Sequence, residues 1–245
     1  MKYIGIDLAW TYKNETGICI IDESGKVEYL DSQIFTNNDI VEIIAKEQEE
    51  NLIIGIDAPL IVNNVEGSRD AERLLLKSRI NGHRVYAFNS NRTFLEKTFK
   101  SIRGETLSHL LVDKIPNTSI GQKDQHTIEE TFPTGICAGI FPNIYPVNYK
   151  RKKGMTFSET VDRMAILVNE IKKFEECGII SGFSEFYQLG PADMSVKKYK
   201  HLEDQMDAFL CAFGLYLIAN QYAVEHKFGT VEEGCIIIPE LIQND

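Results

Sequence analysis

Lys2-Tyr3-Ile4-Gly5-Ile6-Asp7 and Leu52-Ile53-Ile54-Gly55-Ile56-Asp57 are two versions of one pattern. Each is a short apolar run that ends in Gly-Ile-Asp, and each reads as a buried strand with a carboxylate at its carboxyl end. Between them, Gly17–Ile21 and Lys26–Leu30 are strand-like and flank the turn-rich Asp22-Glu23-Ser24-Gly25, which predicts an antiparallel hairpin. Residues 39–50 have helical spacing, with Ile40, Ile43 and Ile44 apolar and Asn38 or Asp39 as the cap. A helix joining two such strands predicts a right-handed parallel crossover. The expected fold is therefore α/β, with a mixed sheet that is antiparallel at one edge and parallel in the middle.

Residues 66–80 read as a helix with Ala71, Leu74, Leu75 and Leu76 apolar. Residues 81–124 have a weaker pattern and read as an insertion, with one helix over Thr106–Val112. His126–Phe132 is a further central strand stopped by Pro133, and Ser158–Phe174 is an amphipathic helix with Val161, Met164, Ala165, Val168 and Ile171 on one face. Tyr199–Val224 reads as one long helix, apolar on every side after Asp207 and hence buried. Cys235–Ile238 is a last strand ended by Pro239. The reading is one domain over residues 1–245.

A chain of 245 residues, 43% apolar and 25% charged, can bury a sizeable core without disulfides or structural zinc. Cys19, Cys137, Cys177, Cys211 and Cys235 are odd in number and contain no CxxC pair, so neither a disulfide framework nor a zinc site is expected. There is no signal-like or membrane-spanning apolar stretch, and a cytoplasmic location is expected. The net charge of -10 argues against broad, sequence-blind binding to nucleic acid, because such affinity comes from neutralising phosphates. It does not exclude a nuclease, whose metal-holding carboxylates count toward the same total.

The acids are the informative residues. Asp7 and Asp57 end apolar strands at the edge where open α/β sheets bind ligands, and a carboxylate there is costly unless paired or bound to metal. Asp204 and Asp207 lie three apart on one face of the late helix, where like charges cost roughly 0.2–0.5 kcal/mol. The bland alternative is an acidic first turn that favours the helix dipole, which accounts for Glu203 and Asp204 better than for Asp207. Glu129 and Glu130 alternate across the 126–132 strand, so only one can reach the site, and Glu130 is the preferred candidate. Asp7, Asp57, Glu130, Asp204 and Asp207 thus form the candidate catalytic set. Hard oxygen donors of this kind suit Mg²⁺ or Mn²⁺ rather than zinc. Two such ions about 4 Å apart serve phosphodiester hydrolysis.

These residues carry a resemblance. Gly5-Ile6-Asp7, a second acid on a later strand and Asp204-x-x-Asp207-Ala208 on a late helix resemble the ribonuclease H-like superfamily, the last element being similar to Holliday-junction resolvases of the RuvC type. In order, Gly5-Ile6-Asp7, Gly55-Ile56-Asp57-Ala58-Pro59, Arg69-Asp70, Glu130-Thr131-Phe132-Pro133, Tyr149-Lys150 and Asp204-x-x-Asp207-Ala208-x-x-Cys211-Ala212 resemble a family of uncharacterised predicted nucleases. The resemblance implies a mixed five-stranded sheet with helices on both faces, and Asp7, Asp57, Asp204 and Asp207 as metal ligands. It also implies nucleic acid, DNA or RNA, as substrate, and is compatible with a homodimer. Asp57 stands where resolvases carry Glu, one methylene shorter.

Arg69, Arg73, Lys150 and Arg151 are candidate substrate-binding residues, although the run Lys150-Arg151-Lys152-Lys153 also fits an ordinary solvated loop. Trp10, the only tryptophan, follows the first acid and fits either base stacking or packing. His201, near the acidic pair, fits proton transfer or plain helix surface. No G-x-S-x-G, P-loop or G-x-G-x-x-G is present. Two other readings compete: an actin-like or sugar-kinase-type phosphotransferase or ATPase, for which Gly5-Ile6-Asp7 and Thr16-Gly17 would be a phosphate loop, and a non-catalytic binding protein of the same fold.

Overall fold

In a computed structural model describing residues 1–190 and 194–242, the two Gly-Ile-Asp runs are neighbouring parallel strands in register, Gly5 opposite Gly55 and Ile6 opposite Ile56. The chain runs β1 (Lys2–Asp7), β2 (Thr16–Asp22), β3 (Val27–Gln33), α1 (Asn37–Ala45), β4 (Leu52–Ile56), α2 (Asp70–Lys77), α3 (Arg92–Phe99) and α4 (Arg103–Lys114). It continues through β5 (Thr118–Ile120), β6 (His126–Thr131), α5 (Pro133–Ile140), a 3-10 turn at Pro142–Ile144, α6 (Phe157–Glu176), α7 (Phe183–Phe186), α8 (Val196–Ala219), β7 (Ala223–Thr230) and β8 (Gly234–Leu241). The sheet order is β3-β2-β1-β4-β6-β8-β7, with β5 also paired to β6. As expected, β2 runs antiparallel to both of its neighbours, β1 and β3, while β1, β4 and β6 are parallel. The sheet has eight strands rather than five, because β5 pairs with the first half of β6, β8 with its second half, and β7 with β8.

Strand alternation sorts the core into two layers. Tyr3, Cys19 and Ile21 pack with α5, α6 and α8 through Ile136, Met164, Ala208 and Ala212. Ile4, Ile6, Ile18 and Ile20 pack on the other side with α1 and α4 through Ile40, Ile44, Leu107 and Leu111. By the same alternation Asp7 and Asp57 lie on the α8 side, in phase with Tyr3, Gly5, Ile53 and Gly55.

Several boundaries differ from the sequence reading. The cap of α1 is Thr36, whose hydroxyl accepts from the Asp39 amide while the Asp39 carboxylate accepts from the Thr36 amide. Leu74 and Leu76 are exposed, and α2 buries Ala71, Glu72 and Leu75 instead. On α6, Leu167 takes the buried place expected of Ala165. Residues 92–114 are no simple insertion, since α4 supplies Leu107 and Leu111 to the inner layer beneath β1 and β4. Helix α8 ends at Ala219, and Val224 belongs to β7. Strand β8 passes through Pro239 because β6 makes its last pair at Ile237, so the missing N–H interrupts no ladder on that side. Among the described residues, no helix is long and apolar enough to cross a membrane.

Candidate metal centre

The site begins with two glycines. A Cβ on Gly5 would collide with the carbonyl oxygen of Ala208 and the amide of Ala212, and a Cβ on Gly17 with the carbonyl oxygen of Asp204. Two bare backbones, faced by alanines, let α8 descend onto β1 and β2. Gly17, within β2, thus serves helix packing. Close approach of α8 brings Asp204 and Asp207 to the end of β1. The amide of Asp57 donates to the carbonyl oxygen of Ile6 at 2.8 Å, which extends the ladder and sets Asp57 beside Asp7. Asp7, Asp57 and Asp207 each offer one oxygen within 4.8 Å of the others.

The cluster is recessed and electrostatically strained. Burial first, then the neighbouring Asp207 and Asp57 charges, push the Asp7 carboxyl well above the usual carboxylate range. Burial pushes Asp57 up to about 7, with Asp207 and Glu130 adding to it and Lys150 opposing. Asp204 is likewise raised by burial, against the pull of Lys200. Asp207 is held on both oxygens: Tyr149 donates its hydroxyl to Oδ1, and the Lys150 ammonium lies 2.6 Å from Oδ2. Burial alone would lower the Lys150 ammonium, but Asp207, Asp57 and Asp7 outweigh it and hold it above its ordinary value. Lys200 bridges Glu203 at 2.8 Å and Asp204 at 2.6 Å.

Around this cluster lies a cleft of about 340 Å³, also lined by Trp10, Asn14, Glu15, Arg69, Phe88, Ser90 and Glu130. Asp7, Asp57, Asp204, Asp207 and Lys150 all line this cleft, with Asp204 outside the close triad. Glu130 lines the cleft but stands outside the triad, since it shares its strand face with Ile128, which packs in the α1/α4 layer. There its carboxylate takes two bonds from Arg69, at 2.8 and 2.5 Å, and one from the Leu60 amide at 3.1 Å. Arg69 is itself buried and also bound to Glu72, so it braces the 58–61 turn after β4 rather than offering its charge to a substrate. Arg73 and Arg151 lie outside the cleft lining, Arg73 paired with Asp70 on the surface. His201 lies outside the cleft lining, with its Nδ1 2.7 Å from Glu15 at the edge of the cleft.

Sequence reasoning assigned no role to Lys200, Tyr149 or Arg103. The first had a signal, three residues before Glu203 and four before Asp204 on one helix. Arg103, only 2% exposed, had none. It donates to the carbonyl oxygens of Ala9 (2.8 Å) and Phe35 (2.7 Å), to Thr16 Oγ1 (3.2 Å) and to Asn37 Oδ1 (3.0 Å), and so fastens the 8–15 loop to α4.

The fold and its site define an α/β protein with a recessed carboxylate cluster at the carboxyl end of a mixed sheet. The chain belongs to the family described as Protein of unknown function (DUF429), whose model matches residues 5–224 and so includes every acid of the cluster, Tyr149 and Lys150. No curated protein and no solved structure gave a significant match.

Proposed function

We propose that this protein hydrolyses a phosphodiester bond of nucleic acid with Mg²⁺ or Mn²⁺ held by Asp7, Asp57 and Asp207. The observation that carries the reading is the convergence of those three carboxylates within 4.8 Å, at a site where burial already drives Asp7 and Asp57 toward protonation. Charge that costly is relieved by a cation. The donor set fits hard ions: among the described residues the cleft lining contains carboxylates but neither histidine nor cysteine. The strand succession β3-β2-β1-β4-β6, antiparallel and then parallel, further supports a ribonuclease H-like reading in which β5, β7 and β8 are additions.

When bound, the ions would polarise a phosphoryl oxygen and lower the pKa of the attacking water. The chain's own groups do the rest. Oxygen of water bonds to phosphorus, the bond from phosphorus to the leaving oxygen breaks, and the products are a phosphate monoester and a hydroxyl. Asp204, 3% exposed, accepts the proton of the attacking water, and a proton from solvent water in the cleft neutralises the leaving oxygen to give the hydroxyl. Lys150 stays protonated and offsets charge on the phosphoryl oxygens, while Tyr149 fixes the direction of the Asp207 carboxylate.

The test is Mn²⁺ calorimetry on wild type and Asp7→Asn, followed by cleavage assays on single-stranded, duplex and four-way-junction substrates. Ion binding lost in the variant, with metal-dependent cutting of any substrate, supports the reading. Absence of both overturns it.

A further inference from the structure

The cleft has an aromatic wall that the proposed hydrolysis does not use. Trp10, three residues beyond Asp7, stacks on Phe99 with centroids 4.9 Å apart and planes at 17°. Phe88 leans on Trp10 at 5.5 Å and on Phe94 at 5.5 Å. Trp10 and Phe88 both line the cleft that holds the carboxylates, and Phe88 is 50% exposed. A phenylalanine so exposed beside a polar cleft leaves a ring face open to a ligand.

Charge says what kind of nucleic acid this wall would receive. Among the described residues the cations lining the cleft are Arg69, Lys150 and Lys200, and each is already paired, with Glu130, Asp207 and Asp204 respectively. Duplex affinity rests on neutralising many phosphates, and a chain of net charge -10 with its cleft cations so committed is poorly equipped for it. Single strands lean less steeply on phosphate neutralisation and gain a second source of affinity, bases stacking on aromatic rings. Depth points the same way. Asp207 is 1% exposed, so a phosphate must descend into the cleft to meet the cluster. A strand with an unpaired nucleotide can turn its base out and make that descent, whereas a paired one must first break its stack.

We propose that the substrate enters as an unpaired nucleotide whose base stacks on Phe88 and Trp10 while its phosphate reaches Asp7, Asp57 and Asp207. This rests on the phosphodiesterase reading, and it narrows the substrate class to single-stranded nucleic acid. The wall selects unpaired over paired strands but not one base over another, since each base has a ring face that can stack.

Trp10, the sole tryptophan, is a built-in reporter. Its fluorescence is titrated with a short oligodeoxythymidylate, and with the same strand annealed to oligodeoxyadenylate, in Ca²⁺. The single strand is expected to quench Trp10 and to bind at least about tenfold more tightly than the duplex. Phe88→Ala is expected to weaken single-strand binding by roughly 5- to 100-fold, the range for losing one stacked base. Its Mn²⁺ isotherm should match wild type, which establishes that the variant is folded and its carboxylates are in place. Equal affinity for duplex, or full affinity in Phe88→Ala, overturns the inference. The two proposals separate cleanly. Ion binding and cleavage with no effect of Phe88→Ala leave hydrolysis and remove the wall. Quenching that depends on Phe88, without ion binding or cleavage, leaves the wall and removes hydrolysis.

Discussion

Lys150 Nζ lies 2.6 Å from Asp207 Oδ2, while the residue before it, Tyr149, donates its hydroxyl to the other oxygen of the same carboxylate. One loop dipeptide thus clamps a helix carboxylate from both sides. Each carboxylate oxygen has two lone-pair directions, so the clamp leaves room for Asp207 to share an oxygen with an ion. Without an ion, Lys150 is the counter-charge that makes the acidic cluster tolerable.

That role predicts opposite effects of Lys150→Met on two measurements. Thermal denaturation without metal should show a loss of about 1–3 kcal/mol, below the full cost of breaking a buried pair because Lys150 is a third exposed. Calorimetry should show Mn²⁺ binding more tightly, since a competing positive charge is gone. Unchanged stability together with weaker Mn²⁺ binding would refute the counter-charge role.

Acidity should act through Asp57. Its folded value of about 7 lies above the ordinary 3.8, so between those limits the folded state holds more protons than the unfolded. Stability of the metal-free protein therefore falls as pH rises from about 4 to about 7 and levels off above. Ion binding expels the same proton, so Mn²⁺ affinity should climb over that window. Urea midpoints and Mn²⁺ isotherms at pH 5 and pH 7.5 measure both trends; flat profiles would contradict them.

Glu130 and Asp57 should part company under amide substitution. Asp57→Asn is expected to abolish Mn²⁺ binding with little loss of stability, because it removes a strained charge. Glu130→Gln leaves Arg69 without its main partner and should cost about 3–5 kcal/mol, yet keep Mn²⁺ affinity in whatever fraction stays folded. A Glu130→Gln protein that is stable but blind to Mn²⁺ would return Glu130 to the ligand set.

Gly17→Ala is the sharpest packing test. The added methyl meets backbone of α8, which no rotamer change relieves, so a loss of about 3 kcal/mol or more is expected, with Mn²⁺ binding weakened as Asp204 and Asp207 shift. Wild-type stability in this variant would mean that α8 is not seated as described.

The repeated Gly-Ile-Asp pattern made β1, β4 and their two acids legible, because a buried run closed by a carboxylate has few other uses. The pair Asp204 and Asp207 was legible from helical spacing. Of the two glutamates Glu130 is the one that lines the cleft, but strand alternation could not show that Arg69 and the Leu60 amide engage its carboxylate. Arg69 and Arg103 were opaque because arginine reads as surface from sequence, whereas here one is enclosed by two glutamates and the other by carbonyl oxygens. The extra strands escaped because β5 is three residues long and β7 alternates weakly, with Ala223 and Phe228 its buried residues.

Arg103 changes how the stretch before β5 should be treated in any effort to pare the protein down. Excising residues 81–124 as an ornament would remove the guanidinium that holds Ala9, Thr16, Phe35 and Asn37, and with it the anchorage of the loop bearing Trp10 and Glu15. A shortened protein would keep every carboxylate in its sequence and still lose one wall of its cleft. The minimal unit that can be expected to work includes this stretch.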